Sequence, residues 1–268
     1  MLLDVPFDHT SAAVVAEALS AGTRVGHDCS MREWAYGDLH REFEQRLDDL
    51  LAESCPSWRP QELPEPYRSN EAFRDYERRN AKRMQVGEQL KDRPELAAAL
   101  ADRVLETITC DEDVSFNKQL IHPLMDAVGR RRVQRHLIST VETGPVAKKV
   151  CATYAWYWSQ VSLVYRSTDD LRQARPTTAS RAADDDVADL RGQYRAACLA
   201  AFVGCDEVPI REILARWFIL KDEFYPPNLL ALVARARSIA ESDPLRFKDL
   251  LAKTEDGTNL AQLTFGDW

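Results

Sequence analysis

Glycine is scarce in this chain of 268 residues, which holds only 10. Strict alternation of apolar and polar residues is missing, and no Asn-Gly pair occurs to turn a hairpin. Those absences exclude a sheet protein built from hairpins. Long apolar runs are absent too. The longest stretch without charge, Val150 to Tyr165, has 16 residues and contains Thr153, Ser159, Gln160 and Ser162. A membrane-spanning helix needs about 20 apolar residues, so no membrane partner is expected. The start, Met1-Leu2-Leu3-Asp4-Val5-Pro6, lacks the basic residues and apolar core of a secretory signal. The 6 cysteines (Cys29, Cys55, Cys110, Cys151, Cys198, Cys205) form no CxxC pair. Buried free thiols in a cytoplasmic protein are the expectation. No P-loop, GxGxxG or GxSxG occurs, which removes the chemistry those spacings encode. Net positive charge is missing as well. With 43 acidic and 35 basic residues the balance is −8, which argues against a whole-surface nucleic-acid binder.

What is present is helical periodicity almost throughout, so the fold class is all-α. A short helix is expected over Ser11 to Ala21. A longer one, capped by Ser30 with Glu33 three residues on, runs to about Glu53 with Leu39, Phe43, Leu47, Leu50 and Leu51 inward. Residues 55–67 hold Pro56, Pro60, Pro64 and Pro66 and read as an extended linker. Helices are expected next over Glu71 to Gln89 and Pro94 to Thr109. They are followed by Phe116 to Val128, stopped by Gly129, and Arg130 to Thr143, stopped by Gly144. Pro145 opens a helix to about Tyr165, apolar on nearly all sides and so central. Residues 166–186 carry little bulk and read as a mobile insertion. Further helices are expected over Val187 to Val203, Pro209 to Leu220, Pro227 to Glu241 and Pro244 to Ala252.

Three of these helices open alike: Pro145-Val146-Ala147, Pro209-Ile210-Arg211 and Pro244-Leu245-Arg246. Without the insertion, their spacing lies near the period of two-helix repeats. The units read as Arg130–Tyr165, Val187–Leu220 and Pro227–Ala252. The pattern resembles HEAT repeats, in which an aliphatic-Arg pair opens the second helix of each unit. Pro209-Ile210-Arg211 and Pro244-Leu245-Arg246 fit that pattern, and Ala147 departs from it. The resemblance covers about residues 112–253. It implies a short α-solenoid of antiparallel helix pairs over residues 111–268, after an irregular helical cap of residues 1–110. A solenoid presents an extended surface rather than a sealed pocket, so the resemblance implies a non-catalytic protein-binding scaffold needing no cofactor. An immunity-type inhibitor that masks a toxin is one form of it.

Candidate site residues follow from charge and spacing. Lys148, Lys149, Arg211, Arg216 and Arg246 are expected along one surface of the second-row helices, with Tyr225 as an exposed anchor for another protein. The acidic balance suits a basic partner. Arg130, Arg131 and Arg132 form the strongest basic cluster and suit an anion, or else complement the preceding helix end. Asp185-Asp186-Val187-Ala188-Asp189 matches the DDxxD of class I terpenoid synthases. That likeness implies a magnesium-dependent enzyme acting on a diphosphate, with Asp185, Asp186 and Asp189 as ligands. The competing reading makes these acids a helix cap. HEAT-like DNA glycosylases are a third resemblance, set against the acidic balance, so nucleic acid is not the expected partner. His122 with Asp126, and His40 with Glu44, stand four apart on helices, a spacing that suits two metal ligands or, as the favoured reading, surface hydrogen bonding. Of Trp156, Tyr157 and Trp158, two are expected in the core.

Overall fold

The computed structural model describes residues 29–60 and 70–256. The expected helix over Ser11 to Ala21 lies outside the described residues, as does most of the proline-rich linker. Among the described residues the chain is all-helical, with no strand. The helices are α1 (Cys29–Ser54), α2 (Glu71–Asp92), α3 (Pro94–Ala99), α4 (Ala101–Ile108), α5 (Lys118–Val128), α6 (Arg130–Thr143) and α7 (Val146–Ser159). They continue as α8 (Thr168–Arg172), α9 (Thr178–Asp185), α10 (Ala188–Gly204), α11 (Val208–Ala215), α12 (Leu230–Ser242) and α13 (Lys248–Asp256). No helix among the described residues is long and apolar enough to cross a membrane.

One apolar core runs from Leu39 to Leu250, so α1 to α4 share it with the helices that follow. Leu39, Phe43, Leu47, Leu50 and Leu51 face it from α1, at the helical spacing visible in the sequence. Helix α1 packs on α2 and α4, and α2 packs on α5. In the second half, α6 packs on α7, α10 on α11, and α12 on α13. Helix α10 also contacts both α6 and α12, while α7 contacts both α5 and α11. Trp156 is buried and stacks on Tyr194 of α10, with ring centres 3.8 Å apart. Trp217 meets Tyr194 edge-on.

Two positions explain close approaches. Gly129 joins α5 to α6 at φ +84, a conformation an L side chain rarely adopts. Gly87 of α2 faces the Gln119 carbonyl of α5, where any Cβ would overlap that oxygen. Four residues on from Gln119 stands Pro123, which has no N–H to give this carbonyl. The two helices therefore meet where one lacks a side chain and the other lacks a helical hydrogen bond.

Several expected boundaries move, each for a physical reason. Ser30 lies within α1. The helix expected from Pro94 to Thr109 breaks at Leu100 into α3 and α4. Helix α7 stops at Ser159 rather than Tyr165. Arg130 and Gln134 of α6 donate to the Ser159 carbonyl, and Arg130 also reaches that of Gln160. The following Val161-Ser162-Leu163-Val164-Tyr165 has no regular secondary structure. Residues 166–186, expected as an insertion without regular structure, contain α8 and α9. Ser167 and Thr177 cap them. The Thr177 N–H donates to the Val164 carbonyl at 2.7 Å, and the Val164 N–H donates to Ser180 Oγ at 3.1 Å. Helix α11 ends at Ala215 rather than Leu220. Pro227 opens a 3-10 turn before α12, and Pro244 opens a turn before α13. Cys55, Cys110, Cys151, Cys198 and Cys205 are free thiols.

Candidate functional site

Three of the basic residues singled out in the sequence, Lys149, Arg211 and Arg130, are brought to helix ends. Lys149 donates its ammonium to the carbonyls of Val141 and Glu142, the last turn of α6. Arg211 donates to the Phe202 carbonyl at the end of α10, and its guanidinium lies 5.9 Å from the Phe202 ring centre. Arg130 performs the same task for α7. Lys253 donates to the Arg216 carbonyl just past α11 at 2.9 Å. Burial pushes the Lys253 amine down to about 8. Arg237 reaches the Leu220 carbonyl at 2.6 Å and Arg93 the Ser54 carbonyl. The last carbonyls of a helix carry partial negative charge and lack helical partners, so a neighbouring cation satisfies both needs.

The remaining candidates fall differently. Lys148 is mostly buried and pairs with Glu42 of α1 at 2.7 Å. Arg246 bridges Asp243 and Glu212 at 2.9 and 2.8 Å. The Arg216 side chain is exposed. The expectation for Tyr225 needs correction, because it is buried rather than an exposed anchor. Its hydroxyl donates to the Ile219 carbonyl at 2.8 Å, and burial pushes the phenol well up.

The arginine triplet does not lie free past a helix end, because it forms the first turn of α6. Arg131 holds Asp189 through two bonds of 2.8 Å and also reaches the Asp186 carbonyl. Arg132 pairs with Asp102 of α4 at 2.8 Å. The three arginines thus join α6 to three other parts of the chain and do not converge on one point.

The aspartates do not share one helix face. Asp185 is the last residue of α9, Asp186 and Val187 turn, and Asp189 lies in the first turn of α10. Arg131 holds the Asp189 carboxyl below its ordinary range. Asp184 is buried and accepts from Arg191. Among the described residues, no group of three His, Cys, Asp or Glu side chains is placed to hold a metal ion.

The aromatic triplet divides as expected for part of it. Trp156 is in the core, while Tyr157 and Trp158 are half-buried. Lys118 lies 4.9 Å from the Trp158 ring centre, and His122 meets that ring edge-on at 6.0 Å. The Trp158 indole N–H donates to the Val114 carbonyl. His122 and Asp126 share α5, and His40 pairs with Glu112 rather than with Glu44. Glu44 instead takes Arg78 at 2.7 Å and Lys82 at 2.8 Å from α2.

The sequence reading missed a buried charge cluster between α2 and the turn leading to α5. Arg83 there pairs with Asp111 at 2.8 Å. Its signal was faint: an arginine on a highly charged helix, and the short run Asp111-Glu112-Asp113. An open cleft of about 430 Å³ lies beside α12, lined by Leu220, Lys221, Asp222, Glu223, Arg237 and Glu241 among others. Its charges are mixed and largely paired with each other. No protein-family model, curated protein or solved structure matches the chain.

Proposed function

We propose that this chain is a non-catalytic protein-binding module of HEAT-like stacked helix pairs, working in the cytoplasm on a basic partner protein. The carrying observation is the order of helix contacts. Helices α6, α10 and α12 touch in sequence, and α7 touches α11, while each pair α6–α7, α10–α11 and α12–α13 is itself in contact. That order is the one two-row stacking produces, and a stacked array offers surface rather than a sealed cavity.

Charge supports the choice of partner. Arg83, Arg130, Lys149, Arg211 and Lys253 are turned onto the chain's own acceptors. Asp38, Asp48, Asp49, Glu53, Asp206 and Glu223 stand exposed. Among the described residues exposed carboxylates outnumber exposed cations, in keeping with the net −8. A toxin-masking immunity protein is one form of this reading. The diphosphate-enzyme reading gains no support from Asp189, whose carboxylate is already held by Arg131.

The test is capture of partners by the full chain and by a variant carrying Asp48→Lys, Asp49→Lys and Glu53→Lys, at low and high salt. The expected result is one stoichiometric basic protein, released by salt and lost from the variant. Recovery of no partner by a folded wild-type chain would overturn the proposal.

A further inference from the structure

The turn over residues 111–117 leads from α4 into α5 and lies against α2. Arg83 of α2 donates to Asp111 at 2.8 Å and to Asp113 at 3.4 Å. The Arg83 and Asp111 side chains are 4% and 1% exposed. The two carboxylates also shape the turn. Asp111 Oδ1 accepts the Asp113 N–H at 3.1 Å, and Asp113 Oδ1 accepts the Ser115 and Phe116 N–H groups at 3.0 and 3.2 Å. Asp111 Oδ2 is buried and receives no hydrogen bond from the described residues. One guanidinium thus faces two carboxylates, that of Asp111 closed to solvent and that of Asp113 17% exposed.

The surrounding groups do not restore the balance. From α2, Asn80 accepts from Arg83 at 3.3 Å, and the Tyr76 phenol lies beside Asp113. From α1, the Phe43 ring faces Arg83 at 5.2 Å, and His40 is paired with Glu112. From the end of α4 and from α7 come the thiols of Cys110 and Cys151. Burial raises both, Cys110 to about 11, so they are neutral. Lys148 of α7 is committed to Glu42. From α5 comes Lys118, over the Trp158 ring. Among the described residues no second cation stands within ion-pair distance of Asp111 or Asp113.

We propose that Asp111 takes up a proton in its buried place beside Arg83 and Asp113, and that this proton clasps the 111–117 turn onto α2. With the proton the cluster is neutral, one guanidinium against one carboxylate. Without it, a negative charge is left buried and uncompensated. Burial pushes Asp111 up to about 6, with Arg83 only partly offsetting it. A carboxyl raised in the folded state stabilises the closed turn fully below its ordinary range. That contribution is lost as pH rises through about 6. The clasp therefore tightens in mild acid and loosens toward neutral pH. The turn also holds the Val114 carbonyl that receives the Trp158 indole N–H, so loosening it frees Trp158.

The test is amide hydrogen exchange on the full chain from about pH 5 to about pH 8, corrected for the intrinsic rate. Protection at Ser115, Phe116 and Asn117 is expected to fall by about tenfold or more with rising pH, with no matching step in α10. Trp158 emission should follow the same midpoint, also in His122→Gln, which removes the neighbouring titrating ring. Asp111→Asn should flatten the profile. Asp113→Asn keeps the Arg83–Asp111 bond and the turn's acceptor but removes the like charge, so its midpoint should move lower. A flat wild-type profile, a step that survives in Asp111→Asn, or an unmoved midpoint in Asp113→Asn would each overturn the proposal.

Discussion

In helices α1 to α5 most paired cations meet carboxylates; from α6 onward some still do, as Arg131 and Arg246 show, but others meet backbone carbonyls at helix ends or turns. Arg78 and Lys82 grip Glu44, Arg103 grips Glu53, and Arg83 grips Asp111. By contrast Arg130, Lys149, Arg211, Arg237 and Lys253 each close the end of a neighbouring helix or turn. The two solutions differ in what they respond to. A carboxylate partner titrates in acid and can be neutralised. A peptide carbonyl does not titrate, and its partial charge persists at every working pH. Below neutral pH the first half should therefore respond more strongly than the second, whose Lys253 amine, lowered to about 8, titrates on the alkaline side.

Removing Arg83 should break that comparison most severely. Arg83→Met leaves Asp111 buried without its cation, at a cost of about 3–5 kcal/mol by urea unfolding. The loss should be largest near neutral pH, where the orphaned carboxylate is charged. Next comes Gly87→Ala, which forces α2 away from the Gln119 carbonyl and should cost about 2 kcal/mol. The same change at Gly192 of α10, which meets open space, should cost nothing or stabilise slightly. In the second half, Arg130→Met uncovers the carbonyls of Ser159 and Gln160 and should cost about 1–2 kcal/mol. Its effect should be equal at pH values about one unit either side of neutral, unlike that of Arg83→Met.

The mildest test sharpens the acid side. Burial alone would raise Glu42, but hydrogen bonds from Lys148 and Arg46 outweigh it and hold the group down at about 2. Arg78, with Lys82, holds Glu44 at about 2 against a smaller burial effect. A carboxylate depressed in the folded state contributes stability above its ordinary range, and loses it as pH falls toward the lowered value. Wild-type stability should thus decline between pH 4.5 and about 2. Glu44→Gln should flatten part of that decline while changing neutral-pH stability by less than about 1 kcal/mol. An unaltered acid limb in Glu44→Gln would show that these ion pairs do not divide the molecule as argued.

Residue by residue, legibility tracked locality. The inward stripe of α1 and the stops at Gly129 and Gly144 were readable because they depend on one helix alone. The end of α7 was not, because two side chains of α6 decide it. The DDxxD spacing of Asp185, Asp186 and Asp189 offered a ligand set beside the cap reading, and a turn at Asp186 and Val187 separates Asp185 from Asp189. Of the candidate partner-binding cations, Lys149 and Arg211 reach carbonyls 7 to 9 residues back in the chain, while Lys148 and Arg246 meet carboxylates. Charge clusters in a sequence carry no information on which helix end they will reach.

By itself the sequence determined that this protein is helical and acidic, and that it has no run apolar enough to span a membrane. Those properties follow from composition and from the 3.6-residue period, which each segment carries on its own. Only the tertiary structure decided which cations became helix caps, which carboxylates were buried and where the long helices broke. Each of those outcomes needs a partner supplied by a distant segment, and burial sets its energy only after the helices have packed.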